Sequence, residues 1–334
     1  MILTVTPNPA LDLTWHVDHL IFGGSHRADA GVARAGGKGL NVARVAHAQG
    51  ASVVAIATAG GATGVEFAAE LAASGVPHAL VEVAGSTRRS VAVVDEQLGD
   101  TTIVNERGAN PTDAEWAALL AEVVDRLPSA SVLVISGSLP PGAPEQLLPV
   151  LIGVGRDAGV PVIVDTSGPA MLRAAEAGAS VLKPNAAELA EATGIADPVA
   201  GARSLIERGA ELVLLSLGSE GMLAVTASEV LHARLESALA GNPTGAGDAG
   251  VAACAVLLAE GVRDPERVLR RATAWSAAAV LMPLAGEISD SWPELEASLM
   301  VGSYTAEPPS ARAATPGATA LAAHASSREP KDSE

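Results

Sequence analysis

Short apolar runs alternate with longer segments of helical period along most of the chain. Residues 2–6, 52–58, 132–136, 160–165, 180–183 and 212–216 read as buried strands. Between and after them, 39–49, 65–74, 113–126, 145–158, 186–193 and 199–208 read as helices, and 247–260 and 265–281 add two more. Alternation of this kind forces a parallel sheet, because each parallel strand needs a crossover that packs back onto the sheet. Aromatic residues make up only 2% of the chain, so the core must be built from Ala, Val, Leu and Ile. The expected class is therefore α/β, with helices on both faces of the sheet.

Two segments break the pattern. Residues 11–33 and 81–106 contain β-like stretches, such as Ser90-Val91-Ala92-Val93-Val94, with no helix between them. They are expected to pair as a small separate sheet lying over the main domain, which should span 1–300. The stretch 303–334 is rich in Ala, Pro, Ser and Thr, lacks an amphipathic period, and reads as a disordered tail.

The formal net charge of −17 argues against non-specific nucleic-acid binding and against an anionic membrane surface. No apolar run reaches the ~18 residues of a membrane span, and no basic segment precedes the first apolar stretch, so a cytoplasmic protein is expected. The single cysteine, Cys254, allows neither an intramolecular disulfide nor a cysteine-based zinc cluster.

Chemistry concentrates in four glycine-rich stretches, 35–41, 136–142, 217–221 and 244–248, read as strand-to-helix junctions. In an open α/β sheet such loops line up at the carboxyl ends of the strands, where ligands bind. Residues 245–250 fit G-x-G-x-x-G, but they do not open a strand–helix–strand unit, and Asp248 would repel a pyrophosphate. Gly37-Lys38 is followed by Gly39 rather than Ser or Thr, so it is no Walker A loop. Gly245 to Gly247 could instead present backbone N–H groups to an anion at a helix start. Asp248, next in line, could accept a proton from a hydroxyl, which is the apparatus of phosphoryl transfer without a P-loop. The plainer alternative is that Asp248 merely starts a helix.

The motifs together resemble those of PfkB carbohydrate kinases of the ribokinase-like fold, in the branch holding 1-phosphofructokinases, tagatose-6-phosphate kinases and minor 6-phosphofructokinases. Thr6-Pro7-Asn8-Pro9-Ala10-Leu11-Asp12 is similar to the branch's opening motif, and Gly36-Gly37-Lys38-Gly39-Leu40-Asn41 to the first family signature. Ser136 to Gly142, Asp165-Thr166-Ser167-Gly168 and Lys183-Pro184-Asn185-Ala186-Ala187-Glu188 follow in family order, and Asn242 to Asp248 is similar to the second signature.

The resemblance implies a three-layer αβα sheet with a β-lid and an ATP- and Mg²⁺-dependent kinase. Asp248 would be the base, with Gly245, Ala246 and Gly247 as its anion hole. Asp12, Gly37, Asn41 and Ser138 would hold the sugar. Lys183, Asn185, Ser216, Gly218 and Gly221 would contact the nucleotide, and Glu188 with Asn185 would position Mg²⁺ through water. Lys38, Arg88 and Arg27 would recognise a phosphate already on the substrate, at the end of the sugar far from Asp248. The implied reaction takes fructose 1-phosphate to the 1,6-bisphosphate. Tagatose 6-phosphate or fructose 6-phosphate kinases, a free-sugar kinase and an inactive sugar-phosphate sensor are the alternatives. The Asn that often follows the family's Thr-Arg pair by two positions is Ser90 here. Pairing through the lid would give a homodimer.

Overall fold

The computed structural model describes residues 1–304. Strand β1 (Ile2–Thr6) is buried along its whole length and leads through Pro7-Asn8-Pro9 into β2 (Ala10–Val17). Next come β3 (Val32–Gly36), helix α1 (Lys38–Ala48), β4 (Val53–Ala59), α2 (Gly61–Ala73) and β5 (His78–Glu82). β6 (Arg88–Asp95) and β7 (Asp100–Asn105) form a hairpin ahead of α3 (Asp113–Arg126) and β8 (Val132–Ser136). The alternation resumes with α4 (Leu147–Asp157), β9 (Val162–Asp165), α5 (Pro169–Glu176), β10 (Val181–Leu182), α6 (Ala186–Thr193), α7 (Pro198–Arg208) and β11 (Leu212–Ser216). The described chain closes with β12 (Met222–Val225), β13 (Val230–Arg234), α8 (Ala246–Ala259), α9 (Pro265–Val280), α10 (Trp292–Ser298) and β14 (Met300–Ser303).

Ten strands make the main sheet, in the order β14-β13-β12-β11-β10-β9-β8-β1-β4-β5. From β11 to β5 every pair is parallel, whereas β12, β13 and β14 run antiparallel at one edge. One core cluster holds α1, α2, α8 and α9 against one face, with Leu40, Phe67, Leu258 and Trp275 in it. A second, with Trp116, Leu148, Met171 and Leu205, fills the other face beneath α3, α4, α5 and α7. The three layers expected from the alternation are present.

A separate four-stranded sheet, β3-β2-β6-β7, is the expected lid. Its bounds differ from the sequence reading. Val81 and Glu82 belong to β5 of the main sheet, where they pair with Thr58 and Ala59. The lid also takes in Ala10 and extends to Gly36, because these two residues pair across β2 and β3. The strand Met300–Ser303 runs into the stretch read as a tail, since it adds to β13; residues 305–334 lie outside the described residues.

Helix starts follow the sequence signals. Thr112 accepts from the Glu115 backbone N–H at 3.3 Å while Glu115 accepts from the Thr112 N–H at 2.6 Å, a reciprocal cap on α3. Asp264 caps α9 with Pro265 in its first turn. Helix α5, only eight residues long, was not distinguished, and neither were the four- and five-residue strands β12 to β14. Shortness is not the whole reason, since eight-residue α6 was legible; β12 and β13 follow β11 with no helix between to set them off. Among the described residues, no helix is long and apolar enough to cross a membrane.

Candidate active site

The chain order reverses direction around β1, which sits between β8 and β4. A crevice opens at the carboxyl ends of strands at such a point. A cavity of about 1120 Å³ lies there. Asn8 enters it after β1, Ser138 after β8, Asp165 from the end of β9, Lys183 after β10 and Ser216 from the end of β11. The lid supplies Asp12 and Arg88 from above, and α1 and α8 supply their first turns.

Two of the four glycine-rich stretches are placed differently from the sequence reading. Residues 217–221 join two antiparallel strands, β11 and β12, rather than a strand and a helix. Residues 244–248 do begin α8, but the chain reaches them by a loop after β13 ends at Arg234. Both stretches still line the cavity.

Gly245 caps α8 with φ of 85° and with no side-chain hydrogen bond to the first turn, so the N–H groups of Gly245 and Gly247 remain available to an anion, while that of Ala246 would first have to leave the Pro243 carbonyl, to which it donates at 3.2 Å. A Cβ at Gly245 would lie 2.8 Å from the Ala285 Cα, which also favours glycine there. Asp248 follows in the same turn, 6% exposed, and accepts a hydrogen bond at 2.8 Å from Asn41 Nδ2 of α1. Burial, reinforced by the nearby Asp165 carboxylate, pushes the Asp248 carboxyl up to about 7. Asn41, Lys38 and Lys183 pull it partly back. A carboxyl so tuned can exchange a proton with a hydroxyl near neutral pH.

Asp165, 1% exposed, accepts from Lys38 Nζ at 3.1 Å through Oδ1, while its buried Oδ2 has no hydrogen-bond partner. Lys38 also lies 3.6 Å from Glu188 Oε1. Burial works against its charge, yet the carboxylates of Asp165, Glu188 and Asp248 outweigh it and hold the ammonium above the usual lysine range.

At the lid end the charges are others. Burial raises Asp12 to about 6, while Arg88, Arg34 and Arg44 oppose the rise. Arg88 donates from Nε to the Asn8 carbonyl and from a terminal nitrogen to the Glu106 carbonyl, both at 3.2 Å, which leaves part of its fork free for a ligand. Beneath, Arg44 pairs with Glu70 at 2.7 Å and with the Ala35 carbonyl at 3.0 Å, tying the lid strand β3 to α1 and α2.

All the site residues singled out from sequence line the cavity except Arg27. Arg27 sits on the exposed connection between β2 and β3. The three cations grouped from sequence are therefore separated. Lys38 starts α1 and turns toward the strand-end carboxylates, and Arg88 is carried by the lid. Asn185 and Glu188 cap each other at the start of α6, at 2.8 and 3.0 Å, so both also have a structural job. Sequence reasoning assigned no role to Asp165 or Asn8, although both stand inside motifs it picked out. Asn8 donates to the Arg107 carbonyl and to Ser138 Oγ, at 3.1 and 3.3 Å.

Residues 9–292 match the model of the pfkB family carbohydrate kinases. The chain belongs to that family. It is 38% identical over 284 residues to a 1-phosphofructokinase of Xanthomonas campestris, covering 82% of this chain and 89% of that one. It is also 38% identical over 268 residues to the ATP-dependent 6-phosphofructokinase isozyme 2 of Mycobacterium tuberculosis, covering 78% of each. Among solved structures, Escherichia coli phosphofructokinase-2 in complex with fructose-6-phosphate superposes with a TM-score of 0.80 at 33% identity, over 89% of this chain and 98% of that one. This pfkB kinase thus has the ribokinase-like fold expected from its motifs, and is an ATP-dependent phosphotransferase with an alcohol acceptor that works with Mg²⁺.

The donor set fits that ion. Among the described residues no three His, Cys, Asp or Glu side chains converge as a protein cage. Mg²⁺ instead tends to keep its waters and to take one or two carboxylates plus substrate phosphates. Glu188 spends Oε2 on its helix cap, while its Oε1 reaches toward Lys38 in the cavity wall.

Proposed function

We propose that this kinase phosphorylates a ketohexose phosphate, fructose 1-phosphate, to fructose 1,6-bisphosphate. The observation that carries the reading is the two-ended cavity. One end holds a buried carboxyl beside an uncapped glycine turn; the other holds Arg88 over Asp12. A sugar with a free hydroxyl at one end and a phosphate at the other spans these two features. Support for the C1 phosphate comes from relatives named 1-phosphofructokinase at 30–38% identity.

In the reaction the substrate hydroxyl oxygen bonds to the γ-phosphorus as the bond to the ADP oxygen breaks. Asp248 takes the hydroxyl proton. The N–H groups of Gly245, Ala246 and Gly247 meet the charge on the phosphoryl oxygens. Asp12 and Asn41 orient the sugar, with Gly37 allowing close approach and Ser138 lining its far wall. Lys183, Ser216, Gly218 and Gly221 flank the nucleotide. Glu188 and Asn185 would hold Mg²⁺, which would supply neutralisation of phosphate charge.

In the lid, exposed Val104 points to one face, while exposed Val32 and Ile103 share a cross-strand row, Val32-Thr14-Ala92-Ile103, on the other. We read this face as the contact of a homodimer, through which Arg27, absent from the cavity lining of its own chain, would reach that of a second copy. The cytoplasm is the location we assign. An ADP-release assay over fructose 1-phosphate, fructose 6-phosphate, tagatose 6-phosphate, free fructose and ribose tests the substrate. The highest kcat/KM is expected for fructose 1-phosphate; a free sugar outperforming every sugar phosphate would overturn the reading.

A further inference from the structure

We infer that Lys38 is a catalytic cation for the phosphoryl group in transfer, and that Asp165 is the positioning residue that holds it there. The inference rests on the reading above that the cavity transfers phosphoryl groups to a sugar phosphate. It replaces the expectation that Lys38 binds the phosphate the sugar already carries.

Lys38 is the first residue of α1, directly after Gly37, whose φ of 120° and close approach to Thr6 fix where the helix begins. One turn later Asn41 donates to Asp248 at 2.8 Å. Residues three apart on a helix share a face. That face therefore puts an ammonium group and the partner of the proposed base side by side. Lys38 Nζ then lies 3.1 Å from Asp165 and 3.6 Å from Glu188, with 39% of the side chain still exposed toward the cavity.

The charges acting on Asp248 are Asp165, Lys38 and Lys183, whereas those acting on Arg88 are Asp12 and Glu106. Lys38 thus belongs electrostatically to the reacting end. Lys183 belongs there too, because a Cβ placed on Gly247 would lie 2.9 Å from its Nζ. Two ammonium groups flank the glycine turn where the transferring group must pass. Charge on that group spreads over its three equatorial oxygens, and a fixed cation in a sheltered site stabilises it without reorganising. Lys38 keeps its proton throughout; the hydroxyl proton goes to Asp248.

Asp165 explains why the cation is fixed. Its side chain is almost wholly buried, one oxygen bonds Lys38, and the other has no hydrogen-bond partner. A carboxylate left half-satisfied in the interior is costly. Holding a lysine whose long stem would otherwise sample many rotamers is a function that offsets this cost.

The test is a double-mutant cycle on the full chain, with ATP and the preferred sugar phosphate. Lys38→Met is expected to lower kcat by roughly 10²–10³-fold with the sugar-phosphate KM within about threefold, the signature of an interaction made in the transition state. Lys38→Arg should recover part of the loss. Asp165→Asn should lower kcat about tenfold in the wild-type background and by nothing further in the Lys38→Met background. A tenfold or larger rise in KM with kcat retained would overturn the assignment and return Lys38 to the substrate's own phosphate. An Asp165→Asn loss of equal size in both backgrounds would overturn the positioning role. If Lys38→Met does not fold, as judged by thermal melting, Lys38→Gln carries the same comparison. Failure of the parent reading looks different: the unaltered chain would then phosphorylate no sugar phosphate at all.

Discussion

At the sheet end of the cavity, Asp165 and Asp248 are almost wholly buried and stand on strand and helix termini packed from both sides. At the lid end, Arg88 lies on a thin sheet whose outermost strand, β7, is exposed at every residue. The first region has little freedom: Lys38 is held at 3.1 and 3.6 Å from Asp165 and Glu188, and Asp248 accepts from Asn41 at 2.8 Å. The second is a single layer without a core of its own. Groups that stabilise a transition state work best when they are preorganised by a rigid frame, while a recognition surface can belong to a movable layer. The comparison teaches that sheet-end substitutions should act on kcat and lid-end substitutions on KM.

The largest effect expected from breaking the sheet end is that of Asp248→Asn, which keeps shape and the Asn41 contact but removes the proton acceptor. Turnover should fall by about 10²–10⁴-fold while ATP affinity by calorimetry changes little. Near-normal turnover would remove Asp248 from its role.

Next in size is the pH dependence of the unaltered enzyme. Asp248 must be ionised to accept a proton, and its carboxyl is raised to about 7. The kcat/KM profile should therefore fall by about tenfold per pH unit below that value and level off above it. A profile flat from pH 5 to 8 would contradict the assignment.

Gly37→Ala probes the joint between the two regions. Gly37 has φ of 120°, and a Cβ there would lie 2.7 Å from the Thr6 Cγ2. Such strain costs on the order of 1–3 kcal/mol, so the melting temperature should drop and both kcat and KM should worsen. An unchanged melting curve would show that the joint has slack.

The smallest effect concerns stability. A buried carboxyl with a raised pKa contributes stability that is full below its unfolded value, 3.8, and is lost as pH rises through about 7. Asp248→Asn removes that loss. Its melting temperature relative to wild type should accordingly rise between pH 4 and pH 8, by several degrees at most. A difference that shrank over that range would contradict the sign.

Much of this arrangement was legible in the residues. The sheet appears as apolar runs because a strand buried on both faces needs no alternation, as in Ile2–Thr6 and Val132–Ser136. The proposed base appears as a carboxylate placed just after Gly-Ala-Gly at a helix start. What stayed hidden depends on contacts across the chain. Lys38 meets Asp165 over 127 positions, and Asn41 meets Asp248 over 207. Local pattern therefore singled out Lys38 as a cation but could not show that it pairs with Asp165 and Glu188 rather than standing beside Arg88. Arg27 lies off the cavity of its own chain for a related reason, since adjacency in a lid segment says nothing of which way a loop turns. The strand Met300–Ser303 straddles the boundary drawn at a compositional change, and only Ser303 fell in the stretch read as a tail.

The division of labour between the two ends is most directly tested by substrate discrimination. One measures kcat/KM for fructose 1-phosphate and for free fructose, in the wild type and in Arg88→Ala. A charge-assisted hydrogen bond to phosphate contributes roughly 1.5–3 kcal/mol, or about 10- to 150-fold. The account predicts a strong preference for the phosphorylated sugar in the wild type. It also predicts that Arg88→Ala cuts this preference at least tenfold through KM, with kcat nearly kept. A preference left intact by Arg88→Ala, or a loss that appears in kcat alone, would contradict it.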